Sequence, residues 1–540
     1  MKKKDRLTLT CEDYTHEGLG VCHHDGATVF VKNMIAGEMA EVEIIKVLKN
    51  YNVGRVLEFK VTSEHRVTPA CPHFKTCGGC QLMHMDSVAQ QDFKTRRVKD
   101  TLRKIGHLDL DVKDCLMDSD GLHYRNKVQV PTGYGNGHVI SGFYRARTND
   151  IVDNDTCLIQ NDFSNKVTAY VKSLMDKYHI MPYDKQKHRG CVKHILTRYG
   201  RMSGEGLLAM ITYTPDLPHK KQFLNDILHA FPQITTIIQN INPRHDNVIL
   251  GDEVKVLYGP GYITDELLGN TYKISLKSFY QINPAQTERL YETAIDMASL
   301  TKDDVVLDAY CGIGTIGMSL ARRVKHVYGV EVVADAIKDA KENAQRNHID
   351  NVTYVCADAG DYMVECAKNH QDINVVMVDP PRKGCSETFL QSLVTLMPER
   401  VVYISCNVAT QARDLDYLRA YYTVEDVQPV DLFPLTRHVE TVCLLSKLHG
   451  DKHIEVEVTM DEMDLTSAES KATYEEIKAY VLEKFGLHVS HLYIAQVKRK
   501  CGIIERANYN LPKSENSRQP QCPPEKEAAI RVALEHFQMI

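Results

Sequence analysis

Three side chains in the second half of the sequence have types and settings that suit covalent chemistry. Cys406 lies in RVVYISCNVATQARDL, just after an apolar run that reads as a strand and just before a segment that reads as a helix. A helix N-terminus lowers a thiol pKa and raises the thiolate fraction, and a thiolate can attack an electrophilic carbon. The ordinary role of a free cysteine is a small buried hydrophobe. Asp379 argues against that role here. In VVMVDPPRKG it is followed by two prolines. Prolines cannot continue a ladder, so the strand stops and Asp379 falls at the carboxyl edge of a sheet. Ligands of open α/β sheets bind at that edge. Glu440, in FPLTRHVETVCLLSK, precedes another apolar run and can serve as a base if it faces a substrate. Alone it reads as a surface carboxylate.

A ligand loop lies upstream of these residues. VVLDAY is followed by CGIGTIG, with Gly312, Gly314 and Gly317 in G-x-G-x-x-G spacing. Glycines there let the backbone turn sharply and approach a ligand. Glu331 ends the run HVYGVE, where a carboxylate can accept from two ribose hydroxyls. A nicotinamide dinucleotide would fit this loop nearly as well. The downstream Asp379 motif has no place in a dehydrogenase.

A third cluster is built of thiols. CPHFKTCGGC sets Cys71, Cys77 and Cys80 at C-x5-C-x2-C spacing. With one distant ligand these could hold zinc or an iron–sulfur cluster, and spacing alone does not choose.

The elements that must carry these residues follow from periodicity. VVLDAY, HVYGVE, VTYVCAD, INVVMVDPP and RVVYISCN read as apolar strands, several of them separated by helix-length segments. That alternation is a doubly wound parallel sheet, expected over 266–447. Residues 1–60 show short alternating runs between Gly and Asp turns, which suits a five-stranded, oligonucleotide-binding type of barrel. Residues 61–265 read as mixed α and β, with a helix near 86–106 and strands near 127–145 and 206–213. Residues 448–540 read as a small, mostly helical extension.

Bulk properties bound the class. The chain has 540 residues, 43% of them hydrophobic and 25% charged, the balance of a globular protein. No apolar segment follows the basic start MKKKDRLTLT, and no run is long enough to span a bilayer. A cytoplasmic setting is therefore expected, and its 16 cysteines read as ligands or catalysts rather than disulfides. The net charge of −6 argues against a uniformly basic surface but leaves room for a local groove. Local basic stretches are KTRRVKDTLRK at 94–104, HYRNK at 123–127 and FYRAR at 143–147. Each alone reads as a solvated face.

Taken in order, SFYQIN at 278–283, DAYCGIGTIG, DPPRKG, SCNVAT and HVETVCLL resemble the RNA uracil-5-methyltransferase family, over residues 1 to about 447. The resemblance implies S-adenosylmethionine as methyl donor, contacted by Gln281, Tyr310, Thr315, Glu331, Asp358 and Asp379. It implies Cys406 as nucleophile and Glu440 as base. It also supplies a fourth cysteine, Cys157 in YRARTNDIVDNDTCLIQ, and a 4Fe-4S cluster on Cys71, Cys77, Cys80 and Cys157; zinc or free thiols are the alternative. EGLGV, VFVKNMIAGE and SEHRVTPAC resemble a TRAM domain, an RNA-binding module. With the basic stretches, it would form a composite RNA surface. The chemistry explains the residue types. C5 of uracil is a poor nucleophile until a thiolate adds at C6, and the C5 proton must then leave before the thiolate can be eliminated. The target base must leave the RNA stack to be reached. The tRNA-modifying branch of that family usually lacks both the barrel and the cysteine cluster, so the resemblance implies 23S ribosomal RNA rather than tRNA as substrate; DNA and membranes are not expected as partners, and the chain is expected to be a monomer.

Other classes fit less of the chain. An iron–sulfur dinucleotide oxidoreductase leaves DPPRKG, SCN and Glu440 unexplained. A zinc-knuckle RNA-binding protein needs no Cys406. A DNA cytosine methyltransferase carries its nucleophile much earlier, as Pro-Cys. In the extension, MDEMDLTSAESKA reads as a linker, and TYEEIKAYVLEKFGL puts Ile477, Val481 and Phe485 on one helical stripe. VSHLYIAQVKRKCGI with Lys498, Arg499 and Lys500 reads either as the second helix of a helix-turn-helix or as part of a plain helical hairpin. RQPQCPPEKE reads as an extended linker before a last helix.

Overall fold

The computed structural model describes residues 1–118, 121–448, 474–501 and 522–537. Contacts divide the chain into two compact units, Met1–His449 and Gly450–Ile540. The first opens with β1 (Arg6–Tyr14), β2 (Leu19–His24), β3 (Ala27–Lys32), β4 (Met39–Val47) and β5 (Asn52–Val61). They close into a barrel in the order β1-β2-β3-β5-β4. Alternation turns Leu9, Cys11, Val29, Val31, Val42 and Ile44 into its core. The expected five-stranded barrel is present.

Helix α1 (Ser87–Ile105) follows, its N-terminus capped by the Asp86 side chain. Here the basic run 94–104 departs in part from expectation, because helical phase splits it between two faces. Lys94 shares a face with Gln90 and Val98 and is fully buried. Its ammonium is paired with the equally buried Asp431. Arg97 donates to the Arg437 carbonyl. Arg96, Arg103 and Lys104 pair with Asp92 and Asp100 of their own helix. Lys94 and Arg97 are thus spent inside the protein, while Arg96, Lys99, Arg103 and Lys104 form the expected solvated face.

A six-stranded sheet comes next, ordered β11-β10-β9-β8-β6-β7. Its strands are β6 (Lys127–Gly135), β7 (His138–Ser141), β8 (Val192–Tyr199), β9 (Gly206–Thr212), β10 (Ile234–Ile241) and β11 (Glu253–Tyr258). Helices α2 (Asp162–Lys177) and α3 (Lys220–Ala230) pack on one face through Val167, Val171, Phe223 and Ile227. The opposite face, with Leu196, Leu207, Ala209 and Ile211, joins the core of the following region. The expected division at 265/266 falls inside β12 (Tyr262–Leu267), which pairs along its whole length with β13 (Asn270–Ser275). A hairpin buried in a shared core offers no linker at that point.

After α4 (Pro284–Met297) the expected alternation appears: β14 (Val305–Ala309), α5 (Thr315–Ala321), β15 (His326–Glu331), α6 (Ala334–Arg346), β16 (Val352–Cys356), α7 (Ala359–Lys368), β17 (Val375–Val378), α8 (Glu387–Leu396), β18 (Arg400–Ser405), α9 (Val408–Leu418), β19 (Tyr422–Val430) and β20 (Glu440–Lys447). The sheet order is β16-β15-β14-β17-β18-β20-β19. Strands β14 to β18 are parallel, and β20 runs antiparallel between β18 and β19. The order reverses between β14 and β17, the switch point at which such sheets bind ligands.

The second unit contains α10 (Tyr474–Phe485), α11 (His491–Lys500) and α12 (Pro524–His536). Ile477, Val481, Ile494, Val497, Ile530 and Leu534 form a core of its own. Ile477 and Val481 fill the expected stripe, whereas Phe485, at the helix end, is 40% exposed. Lys498 is buried and Lys500 is paired with Glu527 of α12. Two of the three cations expected on a recognition helix are thus engaged within the unit. The expected linker MDEMDLTSAESKA and the start of RQPQCPPEKE lie outside the described residues. No helix among the described residues is long and apolar enough to cross a membrane.

Candidate active site

The parallel strands present their carboxyl ends to one edge of the sheet, and antiparallel β20 begins there. Ser405 pairs with Thr441 across β18 and β20. Cys406 is one residue beyond that pair and Glu440 one residue before it, so the two stand opposite each other where the ladder ends. Asp379 extends β17, the other neighbour of β18. Three residues far apart in sequence therefore meet at one edge.

Their electrostatics are dominated by burial. Glu440 is 3% exposed. Burial and the Asp379 carboxylate hold its pKa well above the ordinary glutamate value, and Arg382 opposes them. Burial pushes Asp379 up to about 7. The Cys406 thiol is pushed up to about 11, by burial first and then by Glu440 and Asp379, with Arg382 again opposing. The lowered thiol pKa expected from the helix start is not found. Asn407 caps α9, and its side chain takes the Ala409 N–H at 3.3 Å. That donor is spent on the cap, while two carboxylates face the sulfur. Asn407 Nδ2 also donates to the Arg382 carbonyl at 2.9 Å, which locks the SCN and DPPR segments together.

The glycine loop runs from β14 to α5. Tyr310, Gly312 and Gly314 have φ of 64°, 54° and 84°, a left-handed stretch that favours glycine. At Gly314 a Cβ would lie 2.3 Å from the Tyr354 hydroxyl. Gly312 N–H donates to Glu331 Oε2 at 3.3 Å and Val333 N–H to Oε1 at 3.0 Å. The Thr315 hydroxyl bonds that of Tyr291 at 3.1 Å, and the Tyr291 phenol feels the Asp379 charge. The Tyr310 ring lies 5.3 Å from that of Phe389. Asp358 caps α7, accepting from Gly360 N–H at 2.8 Å. Gln281 is buried between β13 and α4, and its carbonyl accepts from Asn126 Nδ2 at 2.8 Å.

Asp308, inside VVLDAY, was not singled out from the sequence. It is 1% exposed, and its Oδ2 takes the Gly317 N–H at 2.8 Å. Its Oδ1 has no partner among the described residues. Burial, Asp379 and Glu331 push it up to about 7. Asp308, Glu331, Asp358 and Asp379 thus line one sheet edge with carboxylates. A cation carrying hydroxyls suits that edge, whereas the pyrophosphate of a dinucleotide would be repelled.

Comparison with known proteins agrees. Residues 250–448 match the family described as tRNA (uracil-5-)-methyltransferase, and residues 4–57 match the TRAM domain. An uncharacterized RNA methyltransferase of Halalkalibacterium halodurans is 45% identical over 447 residues, 82% of this chain and 98% of its own length. The chain belongs to the RNA uracil-5-methyltransferase family. It is an RNA methyltransferase dependent on S-adenosylmethionine. A second uncharacterized RNA methyltransferase, from Staphylococcus aureus, is 45% identical over 446 residues, 82% of this chain and 98% of its own. The fold is also that of a Pyrococcus abyssi tRNA (uracil-54, C5)-methyltransferase solved with S-adenosyl-L-homocysteine. That structure is 24% identical, covers 81% of this chain and 99% of its own, and superposes with a TM-score of 0.66.

In this methyltransferase Cys71, Cys77, Cys80 and Cys157 line one small cavity, walled by Phe74, Met83, Phe143 and Ile159. Burial pushes the Cys77, Cys80 and Cys157 thiols up, and each is raised further by neighbouring cysteines. Gly79 N–H donates to Cys77 Sγ at 3.3 Å. Among the described residues, no three His, Cys, Asp or Glu side chains gather tightly enough to hold a metal ion. Around a single zinc, four sulfurs would lie only ~3.8 Å apart. A cubane cluster gives each thiolate its own iron and spreads the four wider. An all-thiol set around a cavity is a donor set that either group takes.

Arg382, Asn407 and Tyr291 join Asp308 as site residues that sequence reading passed over. The first two lie inside the motifs DPPRKG and SCNVAT, so the signal was present. Tyr291 carries none, because it reaches the site from α4.

Proposed function

We propose that the enzyme transfers a methyl group to C5 of a uridine in 23S ribosomal RNA through a covalent bond between Cys406 and C6. The observation that carries this reading is the facing of Cys406 and Glu440 at the end of β18 and β20, beside Asp379. The Cys406 thiolate adds to C6, and the electrons of the C5–C6 double bond pass to C5. S-adenosylmethionine supplies the electrophilic methyl group that C5 takes up. Glu440, as carboxylate, removes the C5 proton. The C–H electrons restore the double bond, the C6–S bond breaks, and the thiolate returns to Cys406. Arg382 lowers the proton affinity of both groups. Gln281, Tyr310, Thr315, Glu331, Asp358 and Asp379 hold the donor, with Asp308 beneath the loop.

The barrel supplies part of the RNA-binding surface, and the work is done in the cytoplasm. The four cysteines hold a 4Fe-4S cluster that pins the loops around residues 71–80 and 157. A tRNA substrate is the second reading. It is favoured by the Pyrococcus structure, whose protein acts on tRNA and yet covers 81% of this chain. Mapping 5-methyluridine in 23S rRNA and tRNA from a deletion strain, then restoring the gene as wild type or as Cys406→Ala, tests both readings. Loss from 23S rRNA that only the wild type reverses is the expected result. Methylation by Cys406→Ala would refute the covalent route, and loss from tRNA alone would select the second reading.

A further inference from the structure

The nine residues 431–439 connect β19 to β20 and end directly at Glu440. Cross-strand pairing holds the ends of this segment, since Val430 pairs with Glu440. Its middle is held by residues more than 300 positions away. The Leu435 carbonyl accepts two backbone N–H groups, from Gln81 at 3.1 Å and Leu82 at 3.0 Å. The Leu435 N–H donates to Gln90 Oε1 at 3.2 Å. The Gln81 side chain spans the joint, with Oε1 accepting from Arg437 N–H at 3.3 Å and Nε2 donating to the Gly78 carbonyl at 2.8 Å. The Tyr124 hydroxyl donates to the Pro434 carbonyl at 3.4 Å. Leu435 itself has φ +65°, a conformation that a branched residue adopts only when its surroundings enforce it. The surroundings are the apolar shell of the cysteine cavity: Leu435 packs with Phe74, Met83, Tyr124, Cys157 and Ile159, and Cys80 lies against that cluster.

The geometry points to Gln81 and Leu435 as positioning residues for Glu440, joining the cysteine loop to the segment that carries the base. This rests on Glu440 being the base of the proposed reaction. Neither residue touches the substrate. Their effect is to fix where β20 starts, and so where the Glu440 carboxylate meets the C5 proton. Geometry of a proton-abstracting group is felt steeply in rate. The step affected is therefore the last one, in which Glu440 takes the C5 proton, the C5–C6 double bond re-forms and the C6–S bond to Cys406 breaks. Attack by Cys406 uses a different strand end and is left intact.

A merely structural role predicts something else. A loosened fold would slow thiolate attack and elimination together. A displaced base would slow elimination alone, so the methylated covalent complex would accumulate. Single-turnover quenching of the full-length enzyme on substrate RNA, with the complex resolved on denaturing gels and its methyl content counted, separates the two. For Gln81→Ala the expected result is a roughly fivefold rise in the methylated complex, the size of one lost hydrogen bond, with kcat and KM lowered together and kcat/KM unchanged. Leu435→Gly keeps the backbone bonds but loses the apolar packing that holds the segment, and should move in the same direction. Gln81→Glu keeps an acceptor for Arg437 N–H but loses the donor to the Gly78 carbonyl, so its complex should fall between that of Gln81→Ala and the wild type. Complex formation falling in step with turnover, or no change in Gln81→Ala, overturns the inference. Glu440→Gln is run beside them. If it fails to trap the complex, the base assignment fails and takes the inference with it; if it traps the complex and Gln81→Ala does not, only the positioning role fails.

Discussion

Arg382 stands near Cys406, and its guanidinium pulls the thiol down against burial and the carboxylates of Glu440 and Asp379. With the thiol still at about 11, little thiolate exists at neutral pH. Covalent capture of RNA carrying 5-fluorouridine should therefore rise about tenfold per pH unit across the neutral range. Arg382→Met removes the opposing charge. Its capture rate should fall at every pH, roughly tenfold for each unit the thiol climbs, with the profile displaced to higher pH. An undisplaced profile would mean that the guanidinium serves RNA binding alone.

The same burial that raises the thiol makes donor binding pH-dependent. Asp308 and Asp379 are each raised to about 7. Below that value the folded, empty site holds protons on them. A sulfonium ligand favours the ionised carboxylates, so binding should expel protons at pH ~6 and few at pH ~8.5. Titration calorimetry of S-adenosylmethionine in buffers of differing ionisation enthalpy reads that number directly. Asp308→Asn should reduce it. A proton count of zero at both pH values would show that these carboxylates do not respond to the donor.

How far the sequence revealed this arrangement depended on distance along the chain. The strands bearing Tyr310, Glu331, Asp379 and Cys406 could be read because each is a short apolar run, and because in a parallel sheet their ends share an edge. The barrel could be read from alternation. The charge state of Cys406 could not, since it is set by Asp379 and Glu440, which only the sheet brings beside it. Within the basic run 94–104, Lys94 departed from the expected solvated face for a similar reason. Composition cannot show that Lys94 turns inward to meet a residue 337 positions later. Phe485 left its stripe at the last position of α10, where it is 40% exposed. The fourth cysteine, Cys157, came from resemblance rather than spacing.

The glycine loop has one position where substitution should be decisive. Gly314 is left-handed at φ 84°, and an added Cβ would meet the Tyr354 hydroxyl at 2.3 Å. Both strain and clash act, so Gly314→Ala should lose about 1–3 kcal/mol of stability and most of its affinity for S-adenosylmethionine. Gly312 has open space at the same point. Gly312→Ala bears the φ strain without the clash and should keep more binding. Equal loss in both variants would assign the effect to backbone strain alone.

The cysteine cavity makes a compositional prediction. Anaerobically purified protein should contain iron and acid-labile sulfide in equal amounts, about four of each per chain if a cubane is bound. Cys157→Ser, which removes the ligand furthest in sequence from the other three, should lose both and lower the melting temperature. Zinc without sulfide would replace the cluster with a single ion.

The buried pair Lys94–Asp431 separates stability from positioning. Both side chains are 0% exposed, with the partners on α1 and on the segment leading to Glu440. Lys94→Met leaves Asp431 charged and unpaired in the interior, a loss of about 3–5 kcal/mol. Replacing both, as Lys94→Met with Asp431→Leu, removes the stranded charge, and the melting temperature should largely recover. Activity should not recover with it. Lys94 also donates to the Phe433 carbonyl at 3.3 Å, a bond that neither Met nor Leu can replace. The double variant should thus be stable yet slow, its deficit lying in kcat. Recovery of both properties together would mean that the ion pair only holds the fold, and that the segment before Glu440 finds its place without Lys94.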